Sequence, residues 1–123
     1  MSRRPRVLLV DDHADVLKAI SRLLASDCEI VGSVIDGSTL LETAERLEPD
    51  VIVLDVNLPT INSLAACREI THVNPAIKVI MFTAMNDWDA RQGFLEAGAS
   101  AVVSKMASAD LLSTIKRLSV AHG

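Results

Sequence analysis

The segment VIVLDVNLPT, residues 51–60, runs from four apolar residues straight into an acid, Asp55, with no basic residue beside it. A carboxylate at the edge of a core is costly unless its charge is compensated. The compensating group must come from elsewhere in the chain or from solution. Three further apolar runs end in groups of the right kind: VLLV in Asp11 and Asp12, IKVIMFT in the hydroxyl of Thr83, and ASAVVS in Lys105. Brought together, three carboxylates cannot all remain ionised without a cation. Hard oxygen ligands with no Cys or His nearby suit Mg²⁺, and His13, His72 and His122 show no metal-ligand spacing. Acids, Mg²⁺, an ammonium and a hydroxyl together suit phosphoryl transfer, with a carboxylate as nucleophile forming an acyl phosphate.

The elements that must position these groups alternate along the chain. Apolar runs at 7–10, 29–34, 51–55, 77–83 and 99–104 read as buried strands. Between and after them lie segments with helical spacing, HADVLKAISRLLAS, STLLETAERLE, LAACREITHV, DWDARQGFLEAG and ADLLSTIKRLSVA. Gly98 is placed to close the fourth helix as its C′ residue. Strand and helix in strict alternation predict an α/β fold, a parallel sheet with helices on both faces. Ligands of open α/β sheets bind beyond the carboxyl ends of the strands. Asp11, Asp12, Asp55, Thr83 and Lys105 all fall at such ends. If strands one, three, four and five are neighbours, these groups share one pocket.

The segments LLVDDH, LDVNLP, MFTA and GASAVVSK resemble the receiver domain of bacterial two-component response regulators, over nearly the whole chain. The wording DVNLP and GAS…K is similar to the subfamily that often carries a C-terminal helix-turn-helix. The resemblance implies a five-stranded flavodoxin-like receiver fold in the order 2-1-3-4-5, phosphorylation by a sensor histidine kinase, and Mg²⁺ as cofactor. It implies Asp55 as phospho-acceptor, Asp12 as a direct metal ligand, Asp11 as a ligand through water, and Asn57 as a ligand through its backbone carbonyl. Thr83 matches the switch hydroxyl, followed by small Ala84, and Lys105 the lysine that pairs with the phosphoryl group. The family's partners include a DNA-binding output domain beyond this chain and a second copy on phosphorylation. Three departures stand out. Val102 replaces the usual aromatic of the switch, so the signal is expected to run through the Thr83 loop and the start of the fourth helix, residues 84–90, near Trp88. Ser63 stands where Gly is common. Met106 follows the lysine where many members have a cis proline, and a cis non-proline bond costs roughly 3 kcal/mol, so a trans bond is expected.

Composition agrees with one domain over residues 1–123: 50% of the residues are hydrophobic and the formal net charge is -4. Such a chain is no nucleic-acid binder, for want of a basic stripe. MSRRPR followed by VLLV is too short an apolar run for a signal peptide or membrane span, which predicts a cytoplasmic location away from membranes. Cys28 and Cys67 are expected as free thiols. Taken singly, Asp11 and Asp12 could cap the first helix, Asp55 could belong to a turn at Pro59, Thr83 could be a loop hydroxyl and Lys105 a solvated surface lysine. Trp88 reads as a partly buried helix residue or a partner contact, and Arg3 and Arg4 as a solvated tail. Their joint placement favours a phospho-accepting switch, not a turnover enzyme on an external substrate. The alternative is a phosphate-independent interaction module of the same fold, motivated by Val102. A haloacid-dehalogenase-type phosphatase needs an acid two residues after its nucleophile, where this chain has Asn57.

Overall fold

The computed structural model describes residues 3–84 and 88–122; the side chains at 88, 89 and 120–122 fall outside that description. Strands β1 (Arg6–Val10), β2 (Glu29–Val34), β3 (Val51–Asp55), β4 (Lys78–Thr83) and β5 (Ala101–Ser104) alternate with helices α1 (Ala14–Leu24), α2 (Leu40–Leu47), α3 (Ser63–Val73), α4 (Trp88–Glu96) and α5 (Ala109–His122). The strands form one parallel five-stranded sheet in the order β2-β1-β3-β4-β5.

Side chains alternate across each strand, so every strand feeds two cores. Val7, Leu9, Val51, Val53, Ile80 and Val103 pack with Leu17, Ile20 and Leu24 of α1 and Leu111 and Ile115 of α5. Leu8, Val10, Ile52, Leu54, Val79 and Met81 face the other way, with Leu40 and Ala44 of α2 and Cys67 and Ile70 of α3. Burial on both faces explains why the central strands read as continuous apolar runs. Each fully buried Leu, Ile or Val contributes about 1.5–3 kcal/mol relative to exposure. Cys28 and Cys67 are buried free thiols, and desolvation pushes Cys67 up to about 11.

Element ends depart slightly from the apolar pattern. Ser38 and Thr39 form a 3₁₀ turn before α2, with the Asp36 carboxylate accepting from Ser38 N at 3.0 Å. Those bonds, the Ser38 backbone first, hold the Asp36 carboxyl below its usual range. Ile77, Ala99 and Ser100 precede their strands instead of joining them. Gly98, at φ +108°, closes α4: its N–H bonds Leu95 O at 3.1 Å and Ala99 N bonds Phe94 O at 3.0 Å, a Schellman pattern. A Cβ at Gly98 would also lie 2.5 Å from Thr71 Oγ1 of α3.

Helix α2 ends differently. Its cap is Glu48, at φ 48° and ψ 60°, with its N–H on Ala44 O at 3.0 Å. A residue with a Cβ is strained in this left-handed region, whereas Gly adopts it freely. Glu48→Gly should therefore stabilise the fold by about 0.5–1 kcal/mol. Urea denaturation would check this, and a lowered midpoint would show that the Glu48 side chain contributes more than the strain costs.

Candidate functional site

The acid-bearing strand ends are fixed by backbone bonds that outlast the strands. Asp11 N donates to Val34 O at 3.1 Å, and Val56 N to Phe82 O at 3.1 Å. Because β1, β3 and β4 are neighbours, Asp11, Asp12 and Asp55 meet at the carboxyl edge of the sheet. Asp11 and Asp55 are buried, at 2% and 1% exposure, in an otherwise apolar setting. Lys105, at the start of the 3₁₀ turn after β5 (Lys105–Ala107), compensates both. Its Nζ lies 3.1 Å from Asp11 Oδ2 and 3.2 Å from Asp55 Oδ1. Partial burial opposes the ammonium, but the Asp11 hydrogen bond and the Asp55 charge outweigh it, so the Lys105 pKa is raised. The same Nζ stands 5.7 Å from the centroid of the Phe82 ring, within cation–π range.

Around Asp55 the local bonds are specific. Asn57 N donates to Asp55 Oδ1 at 3.1 Å, and Ser63 Oγ donates to Asp55 O at 2.8 Å. The hydroxyl of Ser63 thus ties the first residue of α3 to the end of β3, a bond that Gly could not make. Asn57 itself is exposed. Thr83 is buried at 6%, paired in register with Ser104 of β5. Gly37 lets the turn after β2 lie against the loop that follows Asp55, since a Cβ there would sit 2.7 Å from Ile61 Cγ1.

Asp11 and Asp12 do not cap α1. The cap residue is His13, which makes no side-chain cap bond, and Asp11 Oδ1 instead accepts from His13 N at 2.9 Å. That bond folds the imidazole back over the acids, with Nδ1 2.9 Å from Asp11 Oδ1 and 3.1 Å from Asp12 Oδ1. The Asp11 hydrogen bond, then the Asp12 charge, raises the His13 pKa. The expectation of no His near the acids is therefore corrected: ligand atoms of Asp11, Asp12, His13 and Asp55 lie within 4.8 Å of one another, a group able to hold a metal ion.

The oxygens are not equally engaged. Both oxygens of Asp11 are taken, by His13 and by Lys105. Asp55 Oδ2 is buried with no hydrogen-bond partner, whereas Asp12 Oδ1, though it makes no hydrogen bond, lies 3.1 Å from His13 Nδ1. A buried oxygen without a partner is costly unless an ion or water completes it, and Asp55 Oδ2 belongs to the cluster able to hold a metal ion.

Val102 lies half-buried on the α2–α3–α4 face, and Arg91 Nη1 of α4 donates to its carbonyl at 3.3 Å. The Lys105–Met106 bond is trans, as expected, and Met106 is 90% exposed. The expectation for the Trp88 side chain and for residues 85–87 lies outside the described residues. Sequence reasoning missed His13 and Phe82, and it noted Ser63 only as a departure.

The sequence profile of the response regulator receiver domain matches residues 7–116. Response regulator GacA of Pseudomonas viridiflava is 36% identical over 114 residues, which are 90% of this chain and 53% of that protein. Transcriptional regulatory protein PrrA of Mycobacterium leprae is 35% identical over 115 residues, 93% of this chain and 49% of that one. The chain thus spans about half the length of these curated relatives. Among solved structures, a LuxR-family two-component response regulator from Aurantimonas superposes with a TM-score of 0.89 at 28% identity, covering 96% of this chain and 87% of that one. The response regulator domain of Thermotoga maritima CheB gives 0.86 at 28% identity, covering 94% and 96%. With profile, relatives and fold in agreement, the chain belongs to the family of response regulator receiver domains.

Proposed function

We propose that this domain accepts a phosphoryl group on Asp55 in the presence of Mg²⁺. The observation that carries the reading is the buried Asp55 carboxylate, whose Oδ2 has no hydrogen-bond partner, in a metal-capable cluster with Asp11, Asp12 and His13 and with the Lys105 ammonium 3.2 Å from its Oδ1. Asp12, Asp55 and the Asn57 carbonyl would hold the cation, with Asp11 acting through water. Bound there, Mg²⁺ neutralises charge on the phosphoryl oxygens. The Asp55 carboxylate attacks phosphorus; the new O–P bond forms as the bond to the donor's leaving group breaks, and no proton has to leave the nucleophile. Lys105 pairs with one phosphoryl oxygen and the Thr83 hydroxyl donates to another. The fold around the pocket excludes bulk water, which strengthens both interactions.

By its family the phosphodonor is a sensor histidine kinase, and the output a DNA-binding domain or a second copy of the chain. GacA and PrrA are named as regulators and are about twice as long as this chain. No helix among the described residues is long and apolar enough to cross a membrane, which is compatible with action in the cytoplasm. A switch of this kind consumes its phosphoryl group by its own hydrolysis and is not a turnover enzyme on an external substrate. The domain would be self-contained over residues 1–123, since the two cores close around one sheet.

Incubation with acetyl phosphate and Mg²⁺ should add one phosphoryl group to the intact mass, and chelation should prevent it. No gain in mass at saturating donor would leave the phosphate-independent module as the better reading. Mg²⁺ affinity should fall further in Asp12→Ala than in Asp11→Ala, because both Asp11 oxygens are hydrogen-bonded, to His13 and to Lys105, while Asp12 Oδ1 faces only the exposed His13 ring. Calorimetric titration measures both, and a larger loss at Asp11 would reverse the assignment.

A further inference from the structure

At the opposite edge of the sheet from Asp55, helices α2 and α3 leave a groove of about 290 Å³ between their carboxyl ends. It is lined by Leu41, Ile70 and Val73 together with Glu45, Glu48 and Glu69, with no Lys, Arg or His in the lining. Val73 is 74% exposed and Leu41 39%, both large apolar side chains facing water. Among the described residues no ion pair engages any of the three carboxylates. An apolar lining with uncompensated acids is complementary to an apolar side chain flanked by cations. We propose that this groove docks a basic amphipathic helix of a partner protein. Leucine-type side chains on one face of that helix enter between Leu41 and Val73, and Lys or Arg residues beside them reach Glu45, Glu48 and Glu69. At about 290 Å³ the groove is of a size for one or two side chains. A helix presents two such anchors on one face at i and i+4, a spacing that helix-in-groove recognition uses.

The probe is a synthetic helical peptide with leucines at that spacing and lysines elsewhere, titrated into the isotope-labelled chain without phosphodonor. Amide shifts should concentrate at residues 41–48 and 69–77. Affinity should weaken about tenfold or more in Glu45→Lys/Glu69→Lys, from the charge reversal in the lining. It should weaken severalfold in Val73→Ser, which removes the apolar anchor without adding charge at an exposed position where the fold tolerates a polar residue. Replacing the peptide's lysines by glutamates should abolish binding. Shifts centred on Asp11, Asp12 and Asp55 would overturn the proposal, as would shifts spread over the whole surface. So would affinity unchanged in both variants. Self-association of the chain by analytical ultracentrifugation, lost in Val73→Ser, would assign the groove to a second copy and equally overturn it.

Discussion

Lys105→Met is expected to destabilise the metal-free protein by about 3 kcal/mol, a fall in melting temperature of about 10 °C for a chain of this size. The ammonium sits 3.1 Å from Asp11 and 3.2 Å from Asp55, both almost wholly buried. Removing it leaves Asp55 with no cation in contact among the described residues, and an uncompensated buried charge is the expensive case. Met keeps an apolar stem of similar length, so what is lost is the charge, with its ion pairs and its contact over the Phe82 ring. Mg²⁺ should restore part of the stability, since it would compensate the same oxygens, whereas equal ionic strength from NaCl should not. A variant as stable as the parent in EDTA would mean that water already screens the pocket.

Asp55→Asn should act in the opposite direction, raising metal-free stability by about 2 kcal/mol and the melting temperature by about 6 °C. Three carboxylates share one lysine and one exposed histidine. The amide removes one like charge from a dry site while keeping shape, and Lys105 retains Asp11. The variant should also lose most of the stabilisation that Mg²⁺ gives the parent. In Lys105→Met/Asp55→Asn the two effects should fail to add by about 1 kcal/mol or more, because the residues are in contact. Scanning calorimetry with and without Mg²⁺ measures all three proteins. A destabilised Asp55→Asn would show that the Lys105–Asp55 pair outweighs the repulsion.

These opposed effects describe a site in which stability is given up to keep acids together. Much of that was legible in the sequence. VLLV, VIVLD and IKVIMFT are buried on both faces, so they had to be central parallel strands, and their last residues had to meet at one edge. With ASAVVS as their neighbour, Asp11, Asp12, Asp55 and Lys105 share that edge, and the resemblance to receiver domains supplied their roles. His13 was not legible, because its imidazole reaches the acids through a backbone fold-back, His13 N on Asp11 Oδ1, that no periodicity reports. Phe82 looked like one more strand residue; its role comes from the reach of Lys105 over the neighbouring strand. Glu48 in the left-handed region runs against local preference and carried no sequence signal, unlike Gly98, whose residue type announces its conformation. The groove between α2 and α3 depends on how far two helices diverge, a tertiary quantity absent from either helix by itself.

Asp55 alone should receive the phosphoryl group. Reduction of the phosphorylated protein with borohydride cleaves an acyl phosphate and converts the acceptor aspartate to homoserine, which peptide mass spectrometry locates. After treatment with acetyl phosphate and Mg²⁺, homoserine should be found at residue 55 and nowhere else, and chelation of Mg²⁺ before the donor is added should abolish it. Homoserine at residue 11 or 12, or its absence at residue 55 in protein that has gained a phosphoryl group, would contradict the account.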